Sequence, residues 1–155
     1  MADYLYGASV QGIQSFIFQT NKLREIAGAS ELVSRICSQL FVELLGKNLS
    51  SDKLEETMKS DPAFILHTAG NIRYLFRDED LCRSVVREFP RAAMLAAPGI
   101  TVCQAVVKID GSFSEANELL EKKLKVQRNK PSRSTTLGLT AFRRSQHTGL
   151  PVTQQ

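Results

Sequence analysis

Tryptophan is absent, histidine occurs twice, and apolar residues nowhere run on long enough to cross a bilayer. A spanning helix needs about 20 predominantly apolar residues in succession, so no membrane span is expected. The first residues carry Asp3 and no basic flank, unlike a secretory signal, and the expected location is cytoplasmic. Cys37, Cys82 and Cys103 are odd in number, widely spaced and set among apolar residues, the pattern of buried free thiols in a reducing compartment. His67 and His147 have no cysteine or carboxylate at ligand spacing around them, which argues against a zinc site and leaves His67 as a strand residue.

Acidic residues run out before the chain does. After Glu121 there is none, whereas Lys122, Lys123, Lys125, Arg128, Lys130, Arg133, Arg143 and Arg144 supply eight positive charges. The net charge of +4 therefore conceals a basic end. Two readings stay open for it: a solvated face or linker, or a surface for nucleic acid or polyphosphate, with Lys122, Lys123, Lys125 and Arg128 as the nucleic-acid contacts.

What is present describes an ordinary globular protein. With 155 residues, 43% hydrophobic and 23% charged, the chain suffices for one core and is short for two. The expected organisation is a folded domain over residues 1–128 and a basic, irregular segment over 129–155 that links to a further domain. The 155 residues then read as an N-terminal fragment of a longer protein.

Tyr4 to Val10 is aromatic and β-branched, a first strand, and Ile13, Phe16 and Ile17 then recur at helical spacing. Gly28-Ala29-Ser30 breaks that pattern, with Ser30 as N-cap of a new helix whose stripe runs from Leu32 to Leu44 and stops at Gly46. Lys47 to Pro62 is polar, a surface excursion with a weak helical turn around Leu54 to Met58. Phe64 to Phe76 places two β-prone runs about Ala69-Gly70-Asn71, and Gly followed by Asn tolerates the positive φ of a hairpin turn.

Asp78-Glu79-Asp80 suits the start of a helix through Phe89, where dipole complementarity explains three consecutive acids better than a metal cluster does. Pro90 interrupts this helix, which Arg91 to Ala97 can continue before Pro98-Gly99 turns the chain. Ile100 to Ile109 is a valine-rich strand, and Ser114 caps a last helix with Ala116, Leu119, Leu120 and Leu124 inward. The order β-α-α-β-β-α-β-α fits an α+β fold, a ferredoxin-like palm with an antiparallel sheet and helices on one face.

Over Val10-Gln-Gly-Ile-Gln-Ser-Phe-Ile-Phe18 and Asn21-Lys-Leu-Arg-Glu-Ile-Ala-Gly-Ala-Ser30 the chain resembles the palm domains of the large subunit of type III CRISPR effector complexes. The match follows that family's pattern for about thirty residues, and Thr148-Gly-Leu-Pro151 is similar to a phrase downstream of such palms. The resemblance implies antiviral defence and a fold in which two palms sandwich ATP and build cyclic oligoadenylates when target RNA is bound. Catalytic copies carry a Gly-Gly-Asp-Asp hairpin and an aspartate ending the first strand. Here those positions fall on Ala69-Gly70-Asn71-Ile72 and on Ser9, so every expected carboxylate is replaced by a neutral side chain.

By resemblance, then, this chain alone is not expected to be an enzyme, although a second palm in a longer protein would be the cyclase. Ser9, Val10, Gln11, Gly12, Ile13, Gln14, Ser30, Gly70 and Asn71 are the candidate nucleotide contacts, with ATP as ligand and magnesium not expected. For Gly12 the alternatives are phosphate binding on backbone amides or close packing, and for Ser30 they are reading an adenine edge or capping a helix. Expected partners are a second palm or a second copy of the chain, RNA, and other CRISPR effector subunits. The other function class is an independent cytosolic nucleotide-binding or sensing module on the same fold.

Overall fold

The computed structural model describes residues 3–130 apart from Gln19, Asn48 and Ala69. Strand β1 (Asp3–Gln11) leads through α1 (Ile13–Ile17) and α2 (Leu23–Arg35) into a π-helical stretch (Ile36–Leu40), α3 (Phe41–Leu44) and α4 (Ser51–Ser60). The hairpin β2 (Phe64–Thr68) and β3 (Asn71–Phe76) follows, then α5 (Glu79–Ala96), β4 (Thr101–Ile109) and α6 (Phe113–Asn129). The strands form one antiparallel sheet in the order β2-β3-β1-β4, so the first strand lies in the middle. This is the expected α+β architecture, an antiparallel sheet backed by helices.

Alternation along β1 separates two cores, because successive side chains point to opposite faces. Tyr6, Ala8 and Val10 join Ile72, Tyr74 and Phe76 against Val33, Ile36, Phe41, Val85 and Phe89 of the helices on one face. Phe41 is fully buried, stacked on Tyr6 and edge-on to Tyr74 and Phe89. Such ring pairs add roughly 0.5–1.5 kcal/mol each beyond the area they bury. Leu5 and Val107 instead meet Ala116, Leu120 and Leu124 of α6, a second cluster on the other face. The one-face arrangement thus holds for α2 to α5 and is departed from by α6. Gly7 permits this close approach, since a Cβ there would stand 2.9 Å from Leu120 Cδ2.

Several local boundaries differ from the sequence expectation. Helix α2 runs unbroken through Gly28, leaving Ser30 exposed in mid-helix, where it caps nothing. The supposed excursion holds the ten-residue α4, whose Leu54 and Met58 pack with Val42 as a third cluster. Ser112, not Ser114, caps α6: its hydroxyl accepts from the Glu115 amide while the Glu115 carboxylate accepts from the Ser112 amide. Leu119, expected inside, is 45% exposed.

Pro90 does not interrupt α5, which continues to Ala96. A proline in mid-helix leaves the carbonyl four residues earlier without its donor. Here Gln104 Nε2 of β4 donates to that Val86 carbonyl at 2.5 Å, and Tyr6 Oη donates to Gln104 Oε1 at 2.9 Å. Asp78 caps the same helix as expected, accepting from the Asp80 and Leu81 amides.

Candidate functional site

The hairpin tip and the end of β1 meet. Ser9 lies opposite Asn71 of β3 and opposite Cys103 of β4, and Asn71 in turn lies opposite Thr68 of β2. Residues directly opposed across a sheet share a face, so Thr68, Asn71, Ser9 and Cys103 form one row on the face that carries α6. Ser9 is buried, and its Oγ accepts from Gln11 Nε2 at 3.0 Å. The row is polar and contains no carboxylate.

Backbone geometry closes the row against the start of α1. The Val10 amide donates to the Gly70 carbonyl at 2.8 Å. Gly70 has φ +95°, and a Cβ on it would lie 2.8 Å from Ile13 Cδ1; Gly12, at φ +78°, passes the Gly99 carbonyl closely enough that a Cβ would sit 3.2 Å away. Both positions demand a left-handed backbone and small volume, which is why glycine stands there. The Gly70 amide is buried and donates to Cys37 Sγ at 3.3 Å. Burial pushes the Cys37 thiol up, and that bond offsets part of the rise. Cys37 belongs to the π-helical stretch, a feature frequent at functional sites.

Of the residues singled out from sequence, Ser9, Gln11, Gly12, Ile13, Gly70 and Asn71 are thus brought together. Gln14 is exposed on α1, Val10 turns its side chain into the core, and Ser30 stands exposed on α2. Ile72, at the second hairpin position where catalytic copies have aspartate, is buried among the helices rather than on the polar row. Helix α1 is only five residues long, so its dipole is small and any anion there relies on individual amides.

The basic residues divide by position on α6. Arg128 acts on the thiol of Cys103: burial pushes that thiol up and the guanidinium charge pulls it back. Lys122 and Lys123 instead line a groove of about 550 Å³ at the outer edge of β4. Arg133, Arg143, Arg144 and the Thr148-Gly-Leu-Pro151 phrase lie outside the described residues.

Sequence reasoning missed Arg73, on the same face as Asn71 and opposite Gly7. Its guanidinium pairs with Glu121 and donates to Asn117 Oδ1 at 2.8 Å, tying α6 across the sheet. An arginine inside a strand, with Asn117 and Glu121 one turn apart on a helix, was the available signal. Among the described residues no three histidine, cysteine or acidic side chains are grouped to hold a metal ion. The Asp78-Glu79-Asp80 trio lies at the far end of β1, where Glu79 accepts from Tyr4 Oη at 2.5 Å and from Arg83 at 2.6 Å. Five steps along the strand, roughly 17 Å at ~3.4 Å each, lead from Tyr4 to Ser9.

No family model and no curated protein matches the chain. Solved structures do. The chain is similar to Csm1 in a Csm1–Csm4 cassette in complex with cA4, with TM-score 0.60 and 16% identity over 82% of this chain and 19% of that one. It is similar to the Csm1–Csm4 subcomplex of the type III-A CRISPR-Csm interference complex, with TM-score 0.61 and 16% identity over 82% of this chain and 18% of that one. Csm1 of T. onnurineus matches at TM-score 0.54 and 14% identity, over 82% of this chain and 20% of that one. The chain shares its fold with Csm1, the large subunit of type III-A CRISPR complexes. It spans about a fifth of the length of those Csm1 chains. No helix among the described residues is long and apolar enough to cross a membrane.

Proposed function

We propose that the chain acts as a non-catalytic palm domain of a type III CRISPR large-subunit-like protein in antiviral defence. It contributes half of a nucleotide site at the Ser9–Asn71 row and offers α6 to RNA. The observation that carries this reading is the register: Ser9 and Asn71 are cross-strand neighbours at the hairpin tip, where catalytic palms of the resembled family gather carboxylates. Neutral donors and acceptors there suit a nucleotide's base, ribose or phosphate oxygens. Without anionic ligands, they do not assemble the divalent cations on which phosphoryl transfer relies. In this reading the charge of Arg128, which pulls the Cys103 thiol down against the effect of burial, serves a phosphate. The partners of this reading are a second palm and other subunits of such a complex, as Csm4 accompanies Csm1 in the similar structures.

Two titrations of the full chain test it. ATP followed by calorimetry is expected to bind weakly and to lose about tenfold in affinity on Asn71→Ala with Arg128→Ala, a loss of about 1.4 kcal/mol. Labelled single-stranded RNA is expected to bind without sequence preference, to weaken as salt rises, and to weaken again when Lys122, Lys123, Lys125 and Arg128 are neutralised. ATP binding untouched by the substitutions removes the nucleotide half-site, and RNA binding untouched by neutralisation leaves α6 a solvated surface.

A further inference from the structure

The sheet has two outer strands, and they are finished differently. β2 has five residues, and its register slips between Phe64 and Leu66. β4 has nine residues, paired to β1 without a slip from Asp3↔Ile109 to Gln11↔Thr101. A short, irregular edge resists further pairing, whereas a long, regular, β-branched edge is a template for another strand. Val106 shows which atoms are on offer, because its carbonyl accepts from Lys123 Nζ at 3.1 Å. Outward-facing backbone groups recur at every second residue, so Val102, Gln104, Val106 and Lys108 present N–H and C=O to the side that no described strand pairs.

Along that edge runs a slot. The groove beside Val106 has Val86 of α5 on one wall and Lys122, Lys123, Val126 and Gln127 of α6 on the other. Val126 is 57% exposed although it is apolar. Among the described residues no acidic side chain lines the groove, and two lysines do. We infer that the β4 edge is a docking site for an extended, acidic segment of a partner protein, which adds a fifth strand to the sheet. Incoming amides take over the Val106 carbonyl, apolar side chains at alternate positions rest on Val86 and Val126, and the displaced Lys123 meets a carboxylate of the segment. The inference does not depend on the nucleotide half-site, since no groove residue belongs to the Ser9–Asn71 row, but it shares Lys122 and Lys123 with the RNA reading, so peptide and RNA compete for this wall.

The test uses the full chain and a labelled synthetic peptide that alternates valine and threonine and ends in a pair of glutamates. Saturable binding is expected by fluorescence anisotropy, weakened about tenfold or more by Lys122→Glu with Lys123→Glu. The same peptide ending in lysines is expected to bind more weakly. Val106→Pro deletes an outward N–H at an edge position, where proline is tolerated, and is expected to abolish binding. A peptide N-methylated on its pairing side is expected to fail as well, which keeps the test decisive if the proline variant does not fold. Absence of binding, or binding indifferent to N-methylation, overturns strand addition. Equal binding of the acidic and lysine-ended peptides overturns the acidic partner. A single-stranded RNA that fills the groove while the peptide does not makes it a nucleic-acid surface instead.

Discussion

Ser9 and Asn71 are adjacent because β1 pairs antiparallel with β3 in a register set by the buried Tyr6, Ala8, Ile72 and Tyr74. A slip of one residue would turn those side chains out of the core, so the neighbours on the polar face are fixed by the apolar one. This part of the site was legible in the sequence, since a hairpin about Gly70-Asn71 and a strand ending near Val10 both follow from local pattern. Cys37 was not legible as a support, because a thiol accepting from a buried amide leaves no trace in residue spacing. Replacing Ser9 and Asn71 together by aspartate puts like charges directly opposite, which costs roughly 0.2–1 kcal/mol in a strand pair. We expect the double variant to melt below wild type at neutral pH and to regain stability in manganese chloride, whereas wild type is unmoved by the ion. A variant that stays indifferent to manganese in thermal melts would mean that the row lacks the geometry of a metal cage even when charged.

Among the elements, α5 shows why a proline rule read from sequence gives the wrong boundary. Pro90 removes one helical bond, and the carbonyl it orphans is satisfied by a side chain from another strand, a long-range event that no local window contains. Gln104→Leu is expected to strand both the Val86 carbonyl and the Tyr6 hydroxyl, at a cost of about 2 kcal/mol by urea unfolding. Adding Pro90→Ala restores a helical donor for Val86, so part of that loss should return. A loss no smaller in the double variant would break the link between the two residues. Likewise α4 was read as little more than a turn because its sequence is mostly polar; tertiary closure by Lys47 and Asp61 at 2.8 Å brackets it. Burial pushes Asp61 up, but the Lys47 ammonium and the Ala63 amide outweigh it and hold the carboxyl below its usual 3.8. The bond to Asp61 chiefly raises Lys47 above 10.5. The carboxylate's contribution is therefore complete above about pH 4 and fades as pH falls through its lowered value; the ammonium's is complete below about pH 10 and fades as pH rises. The melting-temperature gap between wild type and Asp61→Asn should be flat at neutral pH and shrink in acid, corresponding to about 1 kcal/mol for a partly exposed pair.

At the scale of the whole molecule, the ferredoxin-like order was readable because it rests on hydrophobic period and turn chemistry, whereas the placement of α6 over the site face was not. Its stripe says only that one side must be buried, and the choice of sheet face is made by Gly7 and Arg73, residues forty or more positions before the helix. The consequence bears on catalysis. The polar row carries no anion, the acidic trio sits roughly 17 Å away along β1 at ~3.4 Å per residue, and Glu79 is already engaged by Tyr4 and Arg83. Phosphoryl transfer depends almost wholly on positioning and charge neutralisation, and each ~1.4 kcal/mol of lost stabilisation is tenfold in rate. We therefore expect the purified chain to form neither linear nor cyclic oligoadenylate from ATP with magnesium or manganese, as read by product chromatography after long incubation. Turnover abolished by Ser9→Ala or Asn71→Ala would overturn the silent-palm reading, because it would require that neutral side chains position the reacting phosphates with metal ions held only by the nucleotide itself.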